Sequence, residues 1–173
     1  MSANQYRYLR NHLLDANNGS LLVFGLGHDS LLWSECVSGE LAFIEDNPTY
    51  LSLAPVASRV VLHRFASQVG KRLPTPPVPQ LINRPWDFVL VDGPAGFSRN
   101  SPGRQFSIDW ARQLAIKQVF VHDYERPWER TLCDQNFGKP THVLEPTGKR
   151  RGQLATFSMS GHSPGNELKS PSS

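Results

Sequence analysis

A chain of 173 residues suggests one domain with a core large enough to fold alone, and leaves little room for a second. A hydrophobic fraction of 39% and a charged fraction of 19% describe a soluble globular protein, and no apolar run approaches the ~18 residues of a membrane span. The net charge of +3 is too mild to argue for nucleic acid, and two cysteines, Cys36 and Cys133, exclude a disulfide-built scaffold.

The start, Met1 to Arg10, lacks the apolar stretch of a secretory signal, which points to a cytoplasmic compartment. Tyr8, Leu9, His12 and Leu13 share one face at helical spacing, so a helix is expected over 5–16. Leu21 to Phe24 is an apolar strand run that breaks into Gly25-Leu26-Gly27 and restarts as a helix near Asp29, where an ordinary N-cap is expected, ending at Ser38-Gly39. A second buried strand, Leu41 to Ile44, ends in Glu45-Asp46.

Asp46-Asn47-Pro48 caps a short helix through Leu51, Arg59 to His63 is a third strand, and a helical piece is expected from Phe65 to Arg72. Leu73 to Pro85 holds five prolines and reads as an extended surface connector. Trp86 to Asp92 is the clearest strand, an unbroken apolar run as in a sheet covered on both faces. A helix over Arg104–Ile116, a strand over Gln118–His122 and a helix over Tyr124–Asn136 follow. Thr141–Glu145 and Gly152–Met159 form an antiparallel hairpin, and the Gly, Ser, Pro and charge-rich residues 160–173 read as a disordered tail after a single domain over 1–159.

This alternation predicts an α/β, Rossmann-like fold, a mostly parallel sheet with a terminal antiparallel strand. Ligands bind outside the carboxyl ends of such strands, which gathers Gly25 to Asp29, Glu45 and Asp46, Asp92 to Phe97, and His122 and Asp123 along one edge. Glu45 lies near the ~20-residue spacing at which a carboxylate meets ribose hydroxyls. The Glu45-Asp46 pair would repel a 2′-phosphate, so an NADP-type ligand is disfavoured, while the motif alone leaves NAD open.

The blocks Val23-Phe-Gly-Leu-Gly-His-Asp-Ser-Leu-Leu-Trp33, Phe43-Ile-Glu-Asp46, Trp86 to Phe97, Pro102-Gly-Arg104 and Val121-His-Asp-Tyr-Glu-Arg126 resemble, in order, the plant glucuronoxylan 4-O-methyltransferase family and its DUF579 relatives. The resemblance covers roughly residues 20 to 160. It implies a class I S-adenosylmethionine-dependent methyltransferase fold, and in the plant enzymes the acceptor is the 4-hydroxyl of glucuronic acid on xylan. Against that pattern, no Golgi anchor is expected from these residues, and the proline-rich connector stands in place of a cysteine-bearing insert.

Candidate cofactor residues are therefore Phe24, Gly25, Gly27, His28, Asp29, Glu45 and Asp46, with S-adenosylmethionine as the cofactor the resemblance favours. Candidate catalytic residues are Asp92, facing the transferred methyl group, and His122, a natural general base for a sugar hydroxyl; Asp123 either orients the imidazole or, with Asp92 and His122, holds a divalent metal. Arg104 is the candidate contact to an acidic sugar, against the alternative of a solvated first-turn arginine. Glu125, Arg126, Glu129 and Arg130 read as a solvated helix face, Lys149-Arg150-Arg151 as a solvated turn, and Trp33, Trp86, Trp110 and Trp128 as core rather than a sugar platform. The expected function is O-methylation of a sugar or uronic-acid hydroxyl on a small-molecule or glycan acceptor. The alternative is a non-catalytic binding or scaffolding protein on the same fold.

Overall fold

In a computed structural model, the described residues are 1–98, 101–149 and 151–159; the expected tail and Arg150 lie outside them. Helix α1 (Ala3–Asp15) precedes β1 (Leu21–Phe24), α2 (Ser30–Cys36), β2 (Leu41–Glu45), β3 (Arg59–Leu62), β4 (Trp86–Val91), α3 (Gln105–Leu114), β5 (Ala115–His122), α4 (Pro127–Phe137), β6 (His142–Leu144) and β7 (Leu154–Ser158). Short 3-10 turns occupy Pro48–Leu53, where Asn47 accepts from the Thr49 amide, and Gln80–Ile82. No helix among the described residues is long and apolar enough to cross a membrane.

The strands form one sheet in the order β3-β2-β1-β4-β5-β7-β6. Pairings from β3 to β5 are parallel, and β7 enters antiparallel between β5 and β6. This is the expected α/β architecture, with the antiparallel strand supplied by the terminal hairpin. Because side chains alternate along a strand, the unbroken apolar runs feed two cores. Leu22, Phe24, Val89 and Val91 pack beneath Ile108, Trp110 and Leu132 of α3 and α4, while Leu21, Val23, Phe88 and Leu90 meet Leu9, Leu13 and Trp33 of α1 and α2. Trp33, Trp86 and Trp110 are fully buried, Trp128 packs partly buried against the first core, and Cys36 and Cys133 are buried free thiols whose burial pushes both up.

The helix expected over 65–72 does not form. Its side-chain and backbone groups bond elsewhere: the Ser67 hydroxyl donates to Gly103 O at 2.5 Å, the Gly103 amide returns to Ser67 O at 3.2 Å, and Gln68 bridges to Lys71 and Pro102. A side chain on Gly103 would lie 3.0 Å from the Gln68 backbone, so glycine there permits the contact. The proline-rich connector is likewise fastened rather than loose: Leu73 exchanges bonds with the Gln105 side chain, Trp110 Nε1 donates to Pro76 O at 2.8 Å, and Thr75 bonds Asp109. These contacts fix the start of α3, and with it Arg104.

Candidate active site

Chain order reverses direction in the sheet between β1 and β4, the switch point where open α/β sheets bind ligands. Here the two strand ends touch. The Asp92 amide donates to Phe24 O at 3.0 Å, and a side chain on Gly93 would lie 2.9 Å from the Gly25 Cα. Gly25 also turns through φ +108°, which L side chains rarely adopt. Glu45, 4% exposed, stitches the loop to β2: Oε2 accepts from the Leu26 amide at 2.6 Å, and Oε1 accepts from the amides of Asp46 and Asn47 at 2.9 and 2.7 Å. Three donors leave such a carboxylate room for about one more, within the ~four acceptor positions of the group.

Asp29 is not a side-chain N-cap. Ser30 Oγ accepts from the Gly27 amide at 3.0 Å instead, and Asp29 Oδ2 accepts from the Tyr6 hydroxyl at 3.1 Å. A side chain on Gly27 would meet Asp29 Oδ1 at 2.7 Å, so this carboxylate lies against the loop. Gly25, Gly27, Asp29, Trp33 and Asp92 line a cleft of about 60 Å³, where burial and the Asp92 charge push the Asp29 carboxyl up. The half-buried Asp46 is also pushed up, by burial and by Glu45. Phe24 is placed differently from expectation. Its ring is buried against Trp110, so only its backbone reaches the loop, and His28 is exposed and not part of the cleft lining. Larger clefts, of about 640 and 480 Å³, open at the other end of the sheet around Ser20 and Asp87 and around His12 and Lys117.

At the ends of β4 and β5 the structure brings Asp92, His122 and Asp123 together. His122 Nδ1 lies 2.9 Å from Asp92 Oδ1 and 3.6 Å from Asp123 Oδ1, and Asp123 turns through the left-handed region at φ +60°. Burial pushes the Asp92 carboxyl up, but the hydrogen bond from His122 and the Arg104 charge outweigh it and hold the group below its ordinary range. The imidazole is 8% exposed, and its Nε2 is buried without a hydrogen-bond partner, beneath Gly152. An acceptor hydroxyl cannot reach Nε2 in this arrangement, whereas the Asp92 carboxyl is 27% exposed at the cleft.

Arg104 is neither solvated nor turned toward an acceptor. It is 2% exposed, with Nε donating to Pro94 O at 2.9 Å, Nη1 to His122 O at 2.5 Å, and Nη2 to Asp92 O and Asp123 Oδ2 at 3.0 and 2.9 Å. Its reach to four acceptors on two strand ends corrects both readings of the sequence. Charge patterning also misplaces two residues of the supposed solvated face. Arg126 pairs with Asp123 Oδ2 at 2.8 Å and donates to Ala95 O at 2.8 Å, while Glu129 is buried beside Gly96, and burial pushes its carboxyl up. Asp123 and Arg126 meet across the turn that precedes α4, outside the helix whose charge spacing the sequence offers.

One ligand atom from each of Asp92, His122 and Asp123 lies within 4.8 Å of the others. One imidazole and two carboxylates form a donor set that divalent cations accept. Nδ1 is the imidazole atom that faces both carboxylates, while Arg104 and Arg126 already neutralise the Asp123 Oδ2 side.

A family model described as IRX15/IRX15L/GXM matches residues 63–149. Glucuronoxylan 4-O-methyltransferase 1 of Arabidopsis thaliana is 27% identical, with 87% of this chain and 64% of the relative aligned. The Arabidopsis protein IRX15-LIKE is 32% identical over 68% of this chain and 50% of its own length, so the chain spans about half to two thirds of these relatives. Among solved structures, the magnesium protoporphyrin IX methyltransferase ChlM from Synechocystis PCC 6803, with bound SAM, superposes at TM-score 0.60 and 10% identity, covering 91% of this chain and 79% of that one. The fold is that of a class I S-adenosylmethionine-dependent methyltransferase.

Proposed function

The chain belongs to the IRX15/IRX15L/GXM family, and from that premise we propose that it is an S-adenosylmethionine-dependent O-methyltransferase acting on a hydroxyl of a sugar or uronic acid. The observation that carries this reading is the pair of carboxylates, Asp29 and Asp92, lining one small cleft over the glycine loop. Two acids in so confined a place favour a cation, and S-adenosylmethionine presents both a sulfonium and an ammonium group. The cleft, at about 60 Å³, suits that charged end, while the rest of the cofactor would run along the strand ends past Glu45. The names of the relatives, which specify glucuronoxylan and arabinogalactan, support a glycan hydroxyl as acceptor.

When bound, the cofactor supplies an electrophilic methyl group on sulfur. In this reading Gly25 and Gly27 let it approach the backbone, Glu45 orders the loop and offers its remaining acceptor position to a ribose hydroxyl, and Asp29 holds the ammonium. Asp92 accepts the hydrogen bond of the acceptor hydroxyl. Asp92 would take up the proton that the hydroxyl releases on methylation and pass it to solvent. Most of the rate enhancement comes from alignment of the two reactants. His122 acts through Asp92 by holding its carboxylate, a role that replaces the direct general base expected from the sequence. If a divalent cation is used, Asp92, His122 and Asp123 are the residues to hold it, and its chemistry would be to polarise the acceptor hydroxyl.

Titration calorimetry with S-adenosylmethionine and S-adenosylhomocysteine tests the proposal, and absence of binding by both would sink it. Glu45→Ala is expected to weaken S-adenosylmethionine binding by about 1–3 kcal/mol, the scale for a hydrogen bond to a charged group plus the loosened loop. An unchanged affinity in that variant would remove Glu45 from the cofactor site. A non-catalytic scaffold would instead bind cofactor normally and transfer no methyl group to any of a panel of uronic acids, glycans and small hydroxylated compounds.

A further inference from the structure

Gln5 and Gly152 stand outside the reacting cleft, yet together they close the far side of the His122 ring. Gly152, at φ +96°, approaches so near that a side chain there would lie 2.6 Å from His122 Nε2 and 2.5 Å from Asp123 Oδ1. Its carbonyl accepts from Gln5 Nε2 at 2.7 Å, and the same amide nitrogen reaches Leu144 O at 3.3 Å. Gln5 is fully buried, and its Oε1 accepts from the Ser2 amide at 2.8 Å, so one side chain both caps α1 and fastens the segment before β7. Asn4 adds a second tie, donating to Glu145 O at 2.8 Å.

We propose that Gln5 is a positioning residue for His122: it fastens residues 151–153 so that Gly152 seals Nε2 and leaves Asp92 as the hydrogen-bond partner of the ring. The seal selects a tautomer. A proton on Nε2 would be a buried donor without an acceptor, whereas on Nδ1 it is donated to Asp92. The imidazole thereby becomes a fixed donor that aims the Asp92 carboxylate at the cleft. The effect on turnover rests on the role proposed above for Asp92, while the seal itself does not.

The test compares acylation of histidines by diethylpyrocarbonate in the full chain after dialysis against EDTA, with modified peptides quantified by mass spectrometry and exposed His28 as the internal reference. His122 is expected to react at least about tenfold more slowly than His28. Gln5→Glu keeps the oxygen that caps α1 but cannot donate to Gly152, and is expected to raise the His122 rate about tenfold, the population shift from losing one buried hydrogen bond. The same variant should lower kcat while S-adenosylhomocysteine affinity stays unchanged. Gly152→Ala, forced to displace the segment or the ring, should also expose His122. Equal rates for His122 and His28 in the native protein, or unchanged protection in both variants, overturn the seal. Exposure of His122 with unaltered kcat overturns the positioning role. If the native protein transfers no methyl group at all, the functional reading fails, and the acylation rates still decide the seal.

Discussion

Replacing Arg104 by methionine is expected to destabilise the domain by about 3–5 kcal/mol, the scale for removing one partner from a buried ionic network. The methionine fills much of the stem volume but supplies no donor. Four acceptors, the carbonyls of Asp92, Pro94 and His122 and the Asp123 carboxylate, then lose a partner in a place water barely reaches. Arg104→Lys should recover only a fraction, because an ammonium cannot span acceptors that a planar fork reaches together. Urea unfolding measures both, with an unchanged slope identifying a native-state effect. A loss below about 1 kcal/mol for the methionine variant, the median worth of an exposed pair, would mean that the guanidinium is solvated in solution.

That pH matters to this network follows from Asp92. Its folded value lies below the ordinary 3.8, so its contribution to stability is fully present above that value and is lost as pH falls through the folded one. Removing the Arg104 charge raises the Asp92 value and moves that loss to higher pH. Acid unfolding should therefore begin earlier in Arg104→Met than the drop in neutral-pH stability alone would predict.

Arg104 also marks where local pattern stops being informative. The gathering of Gly25, Glu45, Asp92 and His122 is legible because each closes a short apolar run, and parallel strands necessarily place such ends on one edge. Where a guanidinium goes is another matter. Its acceptors are mainly carbonyls on two other segments, which leave no trace in hydropathy or charge spacing. Residues 65–72 have helix-compatible composition, but their backbone groups find partners at Pro102 and Gly103, more than thirty residues ahead, and tertiary bonds override propensity. Glu129 satisfies a solvated charge pattern and is nonetheless buried, because α4 packs beside the loop at Gly96. The cover over His122 is the longest-range of these features, joining Gln5 to Gly152 across nearly the whole described chain.

Asp92→Asn is expected to slow methyl transfer by roughly 10²–10⁴-fold, the range for loss of a positioned proton acceptor. The amide keeps the shape and can still accept from His122 Nδ1, so the β4–β5 contact survives and the change isolates charge. Affinity for S-adenosylhomocysteine, which has no sulfonium charge, should stay within a few-fold. Affinity for S-adenosylmethionine should fall by about tenfold, or ~1.4 kcal/mol, a modest share of the attraction between unit charges a few ångströms apart near a protein surface. The ratio of the two affinities thus reports the carboxylate independently of turnover. Because Asp92 is held below the ordinary carboxylate range, kcat in the native protein should remain flat through neutral pH and fall only in strong acid, and that limb should vanish in the asparagine variant. If activity requires an added divalent cation that Asp92→Asn no longer binds, the carboxylate serves as a ligand rather than as the proton acceptor. Retention of native kcat by the variant, within about threefold, would remove Asp92 from the reaction and with it the proposed role of His122.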